Sequence, residues 1–352
     1  MSTVLAKARA LAGVVAKDLW RFERALAAAD NSYLALCNRN EHLQPAPIGE
    51  GFRCEWKWTS DLHAPKHVPW LGKKLMERAL ADAPIILKSR DQVHPNPRVT
   101  FIIGHRGKER LAQLQTTLES ISGQDRDDIE CIVVEQDVLP LIASDLPAWV
   151  RYLHVPPPVA HMPYCRSWTF NLAAQHAKGD VLVLHDNDLL VPTNYASIVL
   201  DRVARGYEVV NVKRFIFYLS QCQSLEVQAA PKGQLRMASN PTSILQNAEG
   251  GGSIAITAAA FAEIGGMDES FVGWGGEDNE FWERAQTRRV WTWGMLPLVH
   301  LWHASQPGKS QNGSPTHTLY QQLSNVPPET RIAALGVKKQ GLAERPAGYN
   351  HD

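Results

Sequence analysis

From Val99 onward the chain alternates two periodicities, and that alternation restricts the fold more than any other feature of the sequence. Val99-Thr100-Phe101-Ile102-Ile103 is a short apolar, β-branched run. A strand covered by helices on both faces of a parallel sheet reads this way. A helical segment follows over 109–121, then strand-like runs at 129–134 and 150–155, a helix over 166–177 and a fourth strand at 181–184. The third run stops at Pro156, which has no N–H to give to a ladder. Strands alternating with helices over ~100 residues predict βαβ units. The expected fold is therefore α/β and Rossmann-like, with a mostly parallel central sheet and flanking helices.

The flanks read differently. Val4, Ala8, Leu11, Val15, Leu19, Phe22 and Leu26 recur at steps of three and four, with Lys7, Lys17 and Arg24 off that face. Such a stripe docks on the body of a protein or pairs with a second copy more often than it lies on a lipid surface. A homo-oligomer and a peripheral membrane contact both stay open for this helix. Asp30-Asn31-Ser32 breaks the pattern, and residues 44–72, with Trp56, Trp58 and Trp70, show no clean period. After about residue 207 the pattern is mixed and rich in glycine and tryptophan. Residues 305–317 read as a loop within a polar tail. The expected organisation is a helical and irregular N-terminal extension (1–95), an α/β domain (96–304), and a flexible C-terminal loop and tail (305–352).

Charge and cysteine content remove several classes. Lys and Arg number 36 against 36 Asp and Glu, so the basic excess of a nucleic-acid-coating protein is missing and no nucleic-acid partner is expected. With 44% hydrophobic residues the chain is neither disordered nor fibrous. Five cysteines with no CxxC pair fit neither a disulfide framework nor a zinc knuckle. Cys131, inside an apolar run, reads as a buried thiol. A reducing compartment is expected, hence a cytoplasmic protein, with a place at the inner face of the membrane left open by the first helix. No stretch approaches the ~18 apolar residues of a membrane span, and the N-terminus lacks the apolar core and cleavage site of a signal peptide.

Four clusters carry chemistry. Val181-Leu182-Val183-Leu184-His185-Asp186-Asn187-Asp188 runs a buried strand into two acids spaced i, i+2, which point the same way in extended chain. Ligands of open α/β sheets gather beyond such strand ends. A shared Mg²⁺ or Mn²⁺ would relieve the repulsion between the two acids, whereas an ordinary turn would use them without an ion. Gly273-Trp274-Gly275-Gly276-Glu277-Asp278 opens a helix with two acids after a glycine-rich turn. An acidic helix start explains Glu277 and Asp278 but leaves Trp274 without a reason. His300 and His303 follow an apolar run; on a strand they would face opposite ways, so both reach one ion only if the backbone turns between them. Imidazole with carboxylate suits Mn²⁺ better than Mg²⁺. His105, Arg106, Lys108 and Arg110 follow the first strand and Arg166 opens a helix. Cations there can neutralise phosphate, although solvated surface charge is the better reading of Lys108 and Arg110.

In this order, the strand and basic turn at 99–106, Tyr164-Cys165-Arg166-Ser167-Trp168-Thr169-Phe170-Asn171, Asp186/Asp188, Gly251-Gly252, the 273–278 motif and His300–His303 resemble one family. It is the inverting β-1,4-galactosyltransferase and N-acetylgalactosaminyltransferase group, bacterial chondroitin-polymerase-type enzymes included. The resemblance covers about residues 98–303. It implies a GT-A fold, a UDP-sugar donor, a glycan or glycolipid acceptor, Mn²⁺ with Mg²⁺ as the alternative ion, and a place in polysaccharide biosynthesis. It also implies roles. His105, Arg106, Arg166, Asp186, Gly252 and Trp274 lie at the donor, Trp274 and Glu277 at the acceptor. Asp188, His300 and His303 hold the metal, and Asp278 is the catalytic base. Gly104 and His105 stand where the family has proline and phenylalanine, and Asn187 replaces a small or apolar residue. The 304–316 loop is expected to order as a lid. The rival readings are a retaining N-acetylgalactosaminyltransferase, which usually has Asn where Asp278 stands, and a non-catalytic sugar-nucleotide-binding subunit of a polysaccharide assembly complex.

Overall fold

The computed structural model describes residues 2–248, 250–305 and 314–343. The apolar runs become neighbouring strands of a seven-stranded sheet in the order Val290–Trp291, Val209–Val210, Ser253–Thr257, Val181–His185, Val99–His105, Ile129–Glu135, Val150–His154. The last four are mutually parallel, and Ser253–Thr257 runs antiparallel to Val181–His185. Ile103 pairs with His185 and His105 with Glu135, so the carboxyl ends finish nearly level. Alternate side chains feed two cores, as period 2 requires. Phe101, Ile103, Val133 and Val183 pack with Leu114 and Leu118 of the helix Leu111–Ser122 on one face. Ile102, Ile132, Val134 and Leu182 pack with Phe170 of the helix Arg166–His176 on the other. Each such side chain stabilises the fold by ~1.5–3 kcal/mol.

A second sheet of five short strands lies beside the first: Ser60–Asp61, Ser243–Gln246, Lys213–Tyr218, Leu296–His300 and Leu189–Leu190. Residues 1–95 supply one of its strands and share a core with it through Phe22, Leu71, Leu75, Phe215, Phe217 and Val299. The N-terminal stripe is not continuous. Helices Ser2–Lys17 and Leu19–Ala27 break at Asp18, which pairs with Arg39 at 3.2 Å. Val14 and Phe22 are buried, whereas Leu11 and Val15 of the expected stripe remain 43% and 50% exposed.

At the other end the expectation of loop and tail is corrected, because Pro315–Leu323 and Pro328–Ala343 are helices. Ser314 caps the first by accepting from the His317 N–H. Residues 306–313, most of the expected lid, lie outside the described residues. All five cysteines are free, with Cys131 buried. No helix among the described residues is long and apolar enough to cross a membrane.

Candidate active site at the carboxyl edge of the sheet

The two acids after Val181–His185 take different partners. The chain leaves extended conformation in a turn at Asn187-Asp188 and re-enters a strand at Leu189–Leu190. His185, fully buried, fixes the exit with Nδ1 to Ser253 Oγ and Nε2 to the Leu189 carbonyl, both 2.8 Å. Burial pushes its pKa down to about 4, so it is neutral and structural. Asp186 takes Arg166 at 2.6 Å, and its N–H donates to the Gly252 carbonyl. Asp188, 4% exposed at the side chain, turns toward the histidines.

Sheet pairing delivers those histidines. His300 ends the strand Leu296–His300 opposite Leu189, and the Leu301 N–H donates to the Asp188 carbonyl. The strand stops there, which frees the chain to bring His303 back. His300 Nε2 lies 3.6 Å from Asp188 Oδ1, and His303 Nε2 lies 3.3 Å from Oδ2. Tyr218 stacks on His300 with centroids 4.2 Å apart. His303 Nδ1 donates to the Ala304 carbonyl, which leaves the Nε2 lone pair toward Asp188. Burial holds His303 below the usual imidazole range, in the neutral form that ligates metals.

The trio fits a divalent cation. Its three ligand atoms lie within 4.8 Å of one another. Asp188 Oδ1 and His300 Nδ1 are buried without a hydrogen-bond partner among the described residues. An orphaned buried polar group costs ~1–3 kcal/mol and a charged one more, which an ion on Asp188 would relieve. One carboxylate with two imidazoles favours Mn²⁺ over Mg²⁺.

A second acidic centre forms at the helix Glu277–Ala285, entered through Gly276 at φ 90°. Arg166 joins the two centres. Its Nη2 meets Asp186, its Nη1 pairs with Asp278 and stands 3.9 Å from Glu277, and its guanidinium lies over Phe170 at 4.5 Å. One cation thus faces three carboxylates. Burial and the charge of Asp278 push Glu277 up to about 7. Burial also raises Asp278, against the opposing pull of Arg166. Glycines let the backbone close on this centre: a Cβ at Gly250 would stand 2.5 Å from the Asp278 carbonyl, and one at Gly251 3.4 Å from its carboxylate. Trp274, 46% exposed, sits between Gly273 and Gly275, both left-handed, and its carbonyl accepts from Thr316 Oγ1 at 2.7 Å.

The residues of the basic turn make contacts within the fold. His105 is buried, with Nε2 on the Gly107 carbonyl at 2.7 Å and Nδ1 accepting from Asn187 at 2.9 Å. Its Nδ1 thus holds the acidic turn through Asn187, and its Nε2 holds Gly107 of its own loop. Arg106 donates to the Met162 carbonyl at 2.8 Å. Gly104 has a steric reason: a Cβ there would meet Tyr164 Oη at 2.0 Å and Thr169 Oγ1 at 2.3 Å. Arg110, read from sequence as solvated charge, is instead on Asp188 at 3.1 Å. The usable signal was its place one residue before the helix Leu111–Ser122 at a strand's carboxyl end. Tyr218 and Lys213, whose Nζ reaches the Ser253 carbonyl at 2.5 Å, gave no sequence signal.

Together these features define a candidate metal-assisted centre, with a cation trio and an acid pair, Glu277 buried and Asp278 half-buried, held by one arginine. Residues 238–294, which include Gly250, Trp274, Glu277 and Asp278, match a family described as the N-terminal domain of galactosyltransferase. No curated protein matches the sequence. Solved structures similar to the chain include the following three. The mannosyltransferase PcManGT from Pyrobaculum calidifontis, in complex with GDP-Man and Mn²⁺, is 17% identical over 75% of this chain and 81% of that one, with a TM-score of 0.40. The catalytic domain of Drosophila beta1,4galactosyltransferase 7, in complex with xylobiose, is 15% identical over 64% and 79%, with a TM-score of 0.36. GalNAc-T7 with UDP, GalNAc and Mn²⁺ is 14% identical over 66% of this chain and 48% of that one, with a TM-score of 0.44.

Proposed function

We propose that this chain is a metal-dependent, inverting glycosyltransferase of GT-A type. It moves a hexose, galactose or N-acetylgalactosamine, from a UDP-sugar to a hydroxyl of a glycan or glycolipid. The observation that carries the reading is Arg166, which ties Asp186, two residues from the cation ligand Asp188, to the acid pair inside the galactosyltransferase-like stretch. Asp188, His300 and His303 would hold Mn²⁺; bound there, the ion neutralises charge that develops on the leaving diphosphate. Asp278 takes the acceptor hydroxyl proton as that oxygen attacks the anomeric carbon, while the bond from that carbon to the UDP oxygen breaks. Its raised pKa favours this role, because a stronger base accepts the proton more readily near neutrality. Glu277, whose carboxyl is pushed up by burial and by Asp278, orients the acceptor by hydrogen bonding. Trp274 covers donor and acceptor and keeps water from competing for the sugar. A UDP-sugar panel with Mn²⁺, read as UDP release with and without glycan acceptors, tests this. Release that needs both the ion and one donor supports it, and no metal-dependent release or binding with any nucleotide sugar overturns it.

A further inference from the structure

The helix Leu111–Ser122 and the residue before it carry Arg110, Gln113 and Thr117 at i, i+3 and i+7, one face of a helix. That face grips both segments that bear the cation ligands. Thr117 Oγ1 donates to the Asn187 carbonyl at 3.2 Å, and Gln113 Nε2 donates to the Trp302 carbonyl at 2.9 Å. These two fix backbone. Arg110 differs, because it holds a ligand atom: its Nη1 is 3.1 Å from Asp188 Oδ2, the oxygen that also faces His303.

A guanidinium and a divalent ion cannot share one buried carboxylate without strong mutual repulsion. Asp188 is 4% exposed at the side chain and cannot turn out to serve both, whereas Arg110 is 20% exposed on a long stem at the helix entrance. Arg110 is therefore the partner able to leave. Its planar fork is suited to phosphate oxygens, and a nucleotide diphosphate would bring those to this ion under the function proposed above, on which the inference rests. We infer that Arg110 is an exchangeable counter-cation of the metal site. It neutralises Asp188 before the ion arrives, competes with that ion, and passes to the diphosphate once the ion has taken Asp188.

The two halves predict effects of opposite sign. Calorimetric titrations with Mn²⁺ alone, and with UDP at saturating Mn²⁺, would be run on wild type, Arg110→Gln, Arg110→Lys and His303→Ala, with melting curves to verify folding. Arg110→Gln is expected to bind Mn²⁺ alone several-fold more tightly. It should bind UDP about tenfold more weakly, the scale of one lost charge-assisted hydrogen bond. Arg110→Lys keeps the charge and loses the fork, so it should retain the competition with Mn²⁺ and lose part of the UDP affinity. Unchanged or weaker Mn²⁺ binding by Arg110→Gln would reduce Arg110 to a positioning residue, and unchanged UDP affinity would exclude the transfer to phosphate. If His303→Ala binds Mn²⁺ as wild type does, the cation site itself is misplaced and the inference falls with it. Normal loss in His303→Ala, with no change in the Arg110 variants, sinks this inference alone.

Discussion

Arg166 neutralises at most one of the three carboxylates it faces, so the others must share protons or find another cation. This sets the pH behaviour of the acid pair. An ordinary glutamate has a value near 4.5, and Glu277 in the folded protein has one of about 7. Between those values the folded state holds a proton that the unfolded chain has released. Stability therefore falls as pH rises through that window and stays lower above it. Glu277→Gln cannot ionise, so its melting temperature should exceed wild type at pH 8 and approach it near pH 4. Parallel curves in a thermal-shift series would show that Glu277 is not raised. Asp278→Asn keeps shape and removes basicity. Turnover should fall by about 10²–10⁴-fold, the usual contribution of a positioned base, with UDP–Mn²⁺ affinity little changed. Near-normal turnover would remove Asp278 as base and bring the retaining reading forward.

The strand Val99–His105 reaches the site only because Gly104 leaves room for the Tyr164–Thr169 hydroxyl pair. Thr169 Oγ1 also donates to the Arg166 carbonyl at 2.8 Å, so displacing it disturbs the arginine that joins the two centres. Gly104→Ala should cost roughly 1–3 kcal/mol, as overpacking does, and urea denaturation reads it directly. A loss within a few tenths would mean that the pair moves aside freely. Trp274 belongs to a glycine-flanked turn and buries about half its surface. Trp274→Ala should cut transfer strongly while the melting temperature moves by only a few degrees; a large drop would make it a core aromatic. At this scale the sequence was legible where burial is two-sided. The helices expected at 109–121 and 166–177 and the strands at 99–103, 129–134 and 181–184 lie within two residues of those observed, because Val and Ile runs there face apolar cores on both sides. The five-stranded sheet was not legible. Ser60–Asp61 and Leu189–Leu190 are too short to show a period, and their partners lie over a hundred residues away. The same shortness hid why His300 and His303 meet, since the answer lies in a strand ending rather than in their spacing.

Across the whole molecule, the C-terminal helices brace the helix that carries Glu277 and Asp278. Tyr320 donates to Glu283 at 2.6 Å, and Arg331, 4% exposed at the side chain, meets Glu280 at 3.2 Å and Glu283 at 2.6 Å. Glu280 also pairs with the fully buried Arg284. Arg331→Ala would leave part of that buried charge unmatched, at a cost of roughly 3 kcal/mol. Calorimetric melting should show it as a clear drop, with activity reduced only as far as the helix Glu277–Ala285 is displaced. A variant that melts as wild type would make the bracing unimportant. The charged cluster was not legible from sequence, because Arg331 lies in a tail with no apolar pattern strong enough to announce a docked helix.

The pairing of Leu189–Leu190 with Leu296–His300 has a consequence in time as well as in space. The aspartate of the cation trio is synthesised more than a hundred residues before its histidines, so no local segment contains all three ligands. A nascent chain gains affinity for the ion only when its last sheet strand has emerged and found the right register. A slip of one residue along a two-residue strand would take His300 away from Asp188. An ion bound there stabilises the correctly registered state over every other by mass action. Under the function proposed above, cation affinity would report that the strand Leu296–His300 has paired in register with Leu189–Leu190.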